Sequence, residues 1–417
     1  MAGVDFARKF SYATRTMRPS GVGELLKNSN VPGVTSLAAG APDPDLFPVK
    51  EFKKYTNKAF KDFGPGILQY GPPEGFEPLR QALPEFLVKD ICEPITKPEN
   101  IIITAGSQEG LLILAQVFLS RGCKVAVDKP TYIGAKEAFD MFSPEYIEIE
   151  SDEHGADPKS LRKAFKDHPD IRFYYALPNF QNPTGKTMPL DRRIEMAQIA
   201  GEYGQLIVED DPYGRLRLEG NHIRPIQSFA SENTIGLFTF SKMLAPGIRV
   251  GGMTLPNQME PNAKKRIMNK AAEIKGRGTL TTAPFNQAVI TEFIENNVFK
   301  NHIPRIIEEN RLRRNAMAEI IEEFFPKVLQ FTSPNGGMFL WGELKDEYKH
   351  LAPKLNMHNI IDELVEQHKV DFTDGRFFYA YPKKTKPSMR LNFARWPVKK
   401  MEPAMKIIGE VLTQKLS

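Results

Sequence analysis

Residues 172–209, RFYYALPNFQNPTGKTMPLDRRIEMAQIAGEYGQLIVE, decide the fold. They open on the run Arg172-Phe173-Tyr174-Tyr175-Ala176 and turn through a segment rich in Asn and Pro. A helical pattern follows from about Leu190 to Tyr203, and a second apolar run, Leu206-Ile207-Val208-Glu209, closes the unit. Two short apolar runs joined by a helix predict parallel neighbouring strands. A strand buried on both faces has no polar alternation, and its parallel partner is reached through a crossover helix. The pattern repeats outward. Upstream lie Ile101 to Thr104, a helix from about Gln108 to Ser120, Lys124 to Val127, Tyr146 to Ile149 and a helix from about Pro158 to Lys166; downstream lies Thr234 to Phe240. Such alternation implies an α/β fold, a mostly parallel sheet with helices on both faces.

After about Ala283 the pattern changes. A long helical stretch runs through Arg311 to Ile321, a Pro-Asn-Gly-Gly turn covers Pro334 to Gly337, Met338 to Trp341 reads as a strand, and a last helix lies near Met401 to Leu416. This predicts a second, smaller α+β domain. The expected division is an N-terminal arm at 1–45 associated with the small domain, a large domain at 46–298 and the small domain at 299–417.

The chain has 417 residues, 41% hydrophobic and 26% charged, as soluble globular proteins do. The net charge of +5 is spread among 51 acidic residues, so no basic patch for nucleic acid stands out. Only Cys92 and Cys123 are present, and neither sits in a CxxC, which points to a reducing, cytoplasmic setting. The histidines show no metal-ligand spacing. Met1 to Phe10 is charged, without the apolar run of a signal peptide, and no stretch has the roughly 20 apolar residues of a membrane helix.

In open α/β sheets ligands bind at the carboxyl ends of the strands. Four strand ends carry unusual residues. Ile101 to Thr104 leads into Ala105-Gly106-Ser107-Gln108, where free amides and a helix dipole suit a phosphate. Ala176 leads into Asn179-Phe180-Gln181-Asn182-Pro183-Thr184-Gly185, a stiff turn with amide donors. Glu209 leads into Asp210-Asp211-Pro212-Tyr213, and a carboxylate so poorly solvated needs a partner, such as a cationic heteroaromatic ring. Phe240 leads into Ser241-Lys242, with Arg249 seven residues on in a glycine-rich turn. A desolvated lysine is a nucleophilic amine suited to attack on a carbonyl. Taken singly, each feature reads as turn chemistry, a cap, a salt bridge or a surface lysine.

Together, Asn182-Pro183-Thr184-Gly185, Asp210-Asp211-Pro212-Tyr213 and Ser241-Lys242 with Arg249 and Gly251 resemble the class I/II aminotransferases of pyridoxal-phosphate fold type I. Gln69-Tyr70-Gly71, Gly106-Ser107-Gln108, Asn335-Gly336-Gly337-Met338-Phe339 and Met389-Arg390-Leu391-Asn392-Phe393 extend the resemblance from about Ser36 to the end. The nearest subgroup is that of the 2-aminoadipate, kynurenine and aromatic amino-acid aminotransferases. The resemblance implies a seven-stranded-type sheet and pyridoxal 5'-phosphate as cofactor. The implied reaction passes an amino group from an aromatic or 2-aminoadipate-like amino acid to a 2-oxo acid, 2-oxoglutarate being the expected acceptor.

It also implies roles. Lys242 would carry the cofactor covalently and serve as general acid–base. Asp210 would pair with the pyridine nitrogen, Asn182 and Tyr213 with the ring's phenolic oxygen, and Tyr132 would stack on the ring. Gly106, Ser107, Gln108, Arg249 and the hydroxyls of Thr239 or Ser241 would hold the phosphate. Tyr70 would reach that phosphate across the interface of a homodimer with shared sites. Arg390 would clamp the substrate α-carboxylate, with the backbone of Gly40 and the Asn182 side chain beside it.

Two positions depart from the subgroup's pattern. Gly23 stands where a mobile Arg is usual, with Arg15 or Arg18 as possible substitutes. Asp374 replaces a Pro in Phe372-Thr373-Asp374-Gly375-Arg376-Phe377-Phe378. Both touch substrate choice. The competing expectations are another reaction on the same fold (a lyase, decarboxylase or racemase) and, as a different class, the ligand-sensing domain of a transcription regulator. The regulator would call for a helix-turn-helix ahead of an aminotransferase-like region that here begins within about 40 residues of Met1.

Overall fold

The computed structural model describes residues 4–11, 14–15, 21, 23, 31–87, 95–230, 232–382 and 385–417. Arg18, Cys92 and most of the Pro19–Leu25 segment lie outside the described residues. Seven strands form the main sheet: β1 (Ile101–Thr104), β2 (Lys124–Asp128), β3 (Glu145–Ile149), β4 (Ile171–Ala176), β5 (Ile207–Asp211), β6 (Thr234–Thr239) and β7 (Gly251–Thr254). Their order is β1-β7-β6-β5-β4-β2-β3. The pairs β6–β5, β5–β4, β4–β2 and β2–β3 are parallel. Apart from the edge strand β3, the strand residues are mostly buried, which explains the largely apolar runs.

The sequence reading missed β7, taking Gly251-Gly252 for part of a turn. β7 instead runs antiparallel between β1 and β6. The glycines are there because there is no room for a side chain. A Cβ on Gly251 would lie 2.5 Å from the Phe238 carbonyl oxygen and 2.9 Å from the Gly106 Cα, and one on Gly252 would lie 2.6 Å from the Phe238 ring. Glycine weakens a strand in general, and here it admits the backbone of the Gly106 turn.

A second, four-stranded antiparallel sheet contains β8 (Leu329–Phe331), β9 (Phe339–Leu344), β10 (Thr373–Asp374) and β11 (Ser388–Asn392), in the order β8-β9-β11-β10. The helix Val298–Phe324 leads from the first sheet to the second. The early segment attaches to this second unit, since Thr35–Ser36 pairs in parallel with Val370–Asp371. From there to Asp43 the chain is pinned. Trp396 Nε1 donates to the Ser36 carbonyl at 2.8 Å, Thr373 Oγ1 and Arg390 Nη2 to that of Ala38 at 2.9 and 2.6 Å, and Asn392 Nδ2 to that of Ala41 at 3.0 Å. Arg313 and Asp43, both buried, pair at 2.7 Å. These contacts hold Gly40 against the carboxyl end of β6.

Candidate active site

One cavity of ≈ 600 Å³ lies where the strand ends, the Ala39–Ala41 segment and β11 meet. Gly106, Ser107, Gln108, Tyr132, Asn182, Asp210, Tyr213, Thr239, Ser241, Lys242, Arg249, Arg390 and Gly40 all line it. Of the residues given a role at the site by the sequence resemblance, Tyr70 alone does not line it. It is 76% exposed on a turn of the surface, beside the exposed Leu68.

Strand alternation sorts three consecutive carboxylates on β5. Glu209 accepts from the backbone N–H groups of Ile226 and Gln227 at 2.9 and 2.8 Å. Asp211 accepts from the Gly214 amide at 2.7 Å and Asn179 Nδ2 at 3.1 Å. Asp210, between them, faces the cavity. Its Oδ2 accepts from the Tyr175 hydroxyl at 2.9 Å, while its buried Oδ1 has no partner among the described residues. Burial pushes its pKa up to about 7, against the pull of the Tyr175 hydrogen bond. A buried carboxylate with one open oxygen calls for a donor, and a cationic one would restore its charge.

Lys242 stands across the cavity, and its Nζ donates to the Gly40 carbonyl at 2.7 Å. Burial, with the Arg390 and Arg249 guanidinium groups nearby, lowers its pKa to about 8. A sizeable fraction is therefore the neutral, nucleophilic amine near physiological pH.

Arg390 is buried on β11 against two aromatic rings, its guanidinium carbon 4.1 Å from the Phe339 centroid and 4.9 Å from that of Phe378. Nη1 donates to Asn182 Oδ1 at 2.8 Å, and Asn182 Nδ2 donates to the Tyr213 hydroxyl at 3.3 Å. Desolvation lowers the Arg390 pKa only to about 10, so it stays cationic. Its Nε has no partner among the described residues, which leaves a donor for an incoming anion.

The phosphate end differs in one detail from expectation. The Gly106 amide is committed to the Thr104 carbonyl at 2.8 Å, so it is not a free donor. Gly106 matters instead as a residue with positive φ (78°) and no side chain, since a Cβ there would lie 2.9 Å from Arg249 Nη2. The helix begins at Ser107, and the amides of its first turn face the site with no side-chain cap. Thr239 and Ser241 pair their hydroxyls at 2.9 Å, and Arg249 reaches Ser241 Oγ at 3.4 Å and also bonds the Ala105 carbonyl. Gln108 turns its side chain away from this end and holds the Gly134 carbonyl at 2.7 Å, beside Tyr132.

The residue types fit a phosphorylated pyridine aldehyde: an anion cradle at a helix start, an amine for the aldehyde carbon, and an open buried carboxylate for the ring nitrogen. The family model for aminotransferase class I and II matches residues 32–408. The chain belongs to this family. Its members are pyridoxal-phosphate enzymes, and this chain is an aminotransferase of fold type I. It is 34% identical to aromatic-amino-acid aminotransferase 1 of Thermococcus litoralis, over 99% of this chain and 96% of that one. A crystal structure of Pyrococcus horikoshii kynurenine aminotransferase, complexed with PMP, is 34% identical with a TM-score of 0.89, covering 99% of both chains. That of the α-aminoadipate aminotransferase of Thermus thermophilus, complexed with N-(5'-phosphopyridoxyl)-L-leucine, is 30% identical with a TM-score of 0.86 and the same coverage.

Several groups at the site escaped the sequence reading. Phe339 stands out in the sequence only as part of the stretch Asn335 to Phe339, and Phe378 only as part of Phe372 to Phe378. Ile133, on the cavity wall, and Tyr175 carried no signal beyond apolar helix and strand residues. Gly21, a described residue of the N-terminal segment, lies so close to Ile133 and Phe377 that a Cβ would sit 2.3 Å from Ile133 Cδ1. The substitution at Asp374 also gains a physical account. Its buried carboxylate caps the Arg376 amide at 2.9 Å and holds the Arg376 guanidinium at 2.7 and 2.8 Å.

The different partners of Asp210 and Asp211 predict different defects. Asp210→Ala should lower kcat by about a hundredfold or more, since it removes charge aimed at the reacting system, while in stability the donor it strands at Tyr175 is offset by the loss of a buried carboxylate. Asp211→Ala should mainly lower stability, by about 1–3 kcal/mol, through stranded donors at Gly214 and Asn179. Turnover assays and thermal melts on both variants distinguish the roles, and an Asp210→Ala enzyme within tenfold of wild type contradicts them.

Proposed function

We propose that the chain is an amino acid:2-oxo acid aminotransferase whose donor is an aromatic or 2-aminoadipate-like amino acid and whose acceptor is 2-oxoglutarate. The observation that carries the reaction is the arrangement of Lys242, Asp210 and Arg390 around one cavity. Bound there, pyridoxal phosphate supplies an aldehyde to hold the amino group and an electron-poor ring to take up charge from the substrate Cα. Ser107, Thr239, Ser241 and Arg249 hold its phosphate, and a fixed guanidinium suits two oxygens of a dianion. Asp210 keeps a proton on the ring nitrogen. Asn182 and Tyr213 would address the phenolic oxygen, and Tyr132 would stack on the ring. Arg390 fixes the substrate α-carboxylate beside Asn182 and so sets which Cα bond faces Lys242. The Lys242 amine then takes and returns the Cα proton at its Nζ, a task suited to a pKa near 8.

The cavity wall bears on the donor. Among the described residues, its cations are Lys242, Arg249 and Arg390, each already assigned, and Glu137 adds negative charge. A distal carboxylate would need a cation from beyond these wall residues, since burying it unpaired is costly, and Arg376 is the candidate for the longer dicarboxylates 2-aminoadipate and 2-oxoglutarate. Ile133 and the neighbouring rings of Phe339 and Phe378 suit an apolar side chain. The names of the relatives, an aromatic-amino-acid and a kynurenine aminotransferase, support the same choice. With 2-oxoglutarate as acceptor, phenylalanine should exceed aspartate in kcat/KM by at least about tenfold; aspartate ahead of phenylalanine sinks the assignment. Arg376→Ala should leave phenylalanine unaffected, and a loss confined to 2-aminoadipate and 2-oxoglutarate would identify Arg376 as their distal cation.

The exposure of Tyr70 supports a homodimer in which its hydroxyl reaches the phosphate of the second subunit. Tyr70→Phe and Lys242→Ala subunits, mixed and reassociated, should give heterodimers with one site carrying both changes and one carrying neither, restoring part of the activity. A fully active monomer in sedimentation contradicts the shared site.

A further inference from the structure

Tyr174 and Tyr175 are consecutive on β4, and both are fully buried. Alternation sends them to opposite faces of the sheet. The Tyr174 hydroxyl donates to Asp128 Oδ1 at 2.6 Å, away from the cavity. The Tyr175 hydroxyl donates to Asp210 Oδ2 at 2.9 Å, from the strand next to β5. The Tyr175 ring is held edge-on by Phe139, with centroids 5.7 Å apart.

We infer that Tyr175 is a positioning residue for the cofactor's ring nitrogen: its phenol occupies one oxygen of Asp210, leaving Oδ1 for the ring N–H and keeping the carboxylate ionised. The inference rests on the pyridoxal-phosphate assignment above.

Two observations carry it. Oδ1 is the oxygen left without a partner, so the phenol has already chosen which oxygen is free. Burial works against charge on Asp210, and the Tyr175 hydrogen bond is the foremost influence working for it. The other ionisable groups around Asp210 are Lys242 beyond β6, which favours the carboxylate, and the adjacent Asp211, which opposes it. Tyr132 and Tyr213, which also line the cavity, feel the Asp210 charge. A buried donor steadies an anion more than it would in water. Without the phenol, Asp210 becomes the stronger base, and the proton shared with the ring nitrogen shifts toward the carboxylate. The ring then loses positive charge and accepts electrons less well.

The test uses holoenzyme loaded with cofactor ¹⁵N-labelled at the ring nitrogen. Capture of cofactor by the wild type, read first from its visible absorbance, checks the underlying assignment separately. In Tyr175→Phe the ring ¹⁵N resonance should move toward the unprotonated pyridine value. With it, kcat should fall about ten- to hundredfold, as expected for a lost hydrogen bond to a charged group, with KM little changed because Arg390 still holds the substrate. Tyr174→Phe removes an equally buried phenol from the opposite face and should leave the ¹⁵N resonance in place. Incorporating 3-fluorotyrosine at position 175, a stronger donor of nearly the same shape, should move the resonance the other way; it also provides the test if Tyr175→Phe fails to fold. An unmoved ring resonance in the position-175 variants, or an equal shift in Tyr174→Phe, overturns the inference.

Discussion

Asp210, Lys242 and Arg390 all give up water to face one cavity, and the rest of the site follows from how each is compensated. Desolvation works against charge on all three. Arg390 stays ionised because its pKa starts so high, and the rings of Phe339 and Phe378 together with Asn182 replace part of its water. Lys242 moves toward neutrality, which is the form a nucleophile needs. Asp210 is left with one hydrogen bond and one open oxygen. A cavity that holds an amine losing its proton, a carboxylate short of a donor and a fixed guanidinium is set up for a ligand that is cationic at one end and carries a carbonyl at the other.

The sheet makes this possible. Because β4, β5 and β6 are parallel, their carboxyl ends lie side by side, and residues far apart in sequence arrive at one edge. The one antiparallel strand, β7, closes the arrangement by returning the chain from Arg249 past the Gly106 turn. The second sheet contributes β11 and the pinned Ser36–Asp43 segment, so Arg390 and Gly40 reach the cavity from the opposite side to Lys242. Lys242 bonds the Gly40 carbonyl across this junction.

Much of this was legible in the sequence because parallel strands leave a strong mark. The runs at Ile101, Arg172, Leu206 and Thr234 are mostly apolar and lack polar alternation, and the residues just past them break the pattern. The strand Gly251–Thr254 was not legible, since two glycines chosen for a backbone contact look like a turn. The helices Val49–Phe63 and Pro284–Glu295 were passed over as well. The second is buried on nearly every side, including Gln287, Thr291 and Glu292, so it shows no amphipathic stripe. Within the site, the ligand-facing groups stood out by residue type, whereas their supports did not. Tyr175 is one aromatic in an aromatic strand, and only three-dimensional placement separates it from Tyr174. Asp374 drew notice as a departure, but its hold on Arg376 could not be read from spacing alone.

In the proposed function the cavity lysine is the amine that takes the cofactor. Lys275 offers an internal comparison. It too is buried with a pKa lowered to about 8 and donates its Nζ to a backbone carbonyl, that of Pro73 at 2.6 Å, but it does not line the cavity. Protein loaded with pyridoxal phosphate, reduced with borohydride over a range of pH and mapped by peptide mass spectrometry separates the two. A single adduct on Lys242, with a yield that climbs as pH passes about 8, is the predicted result. An adduct on Lys275 or another lysine, or a yield that climbs only near the ordinary lysine value of about 10.4, would contradict the account.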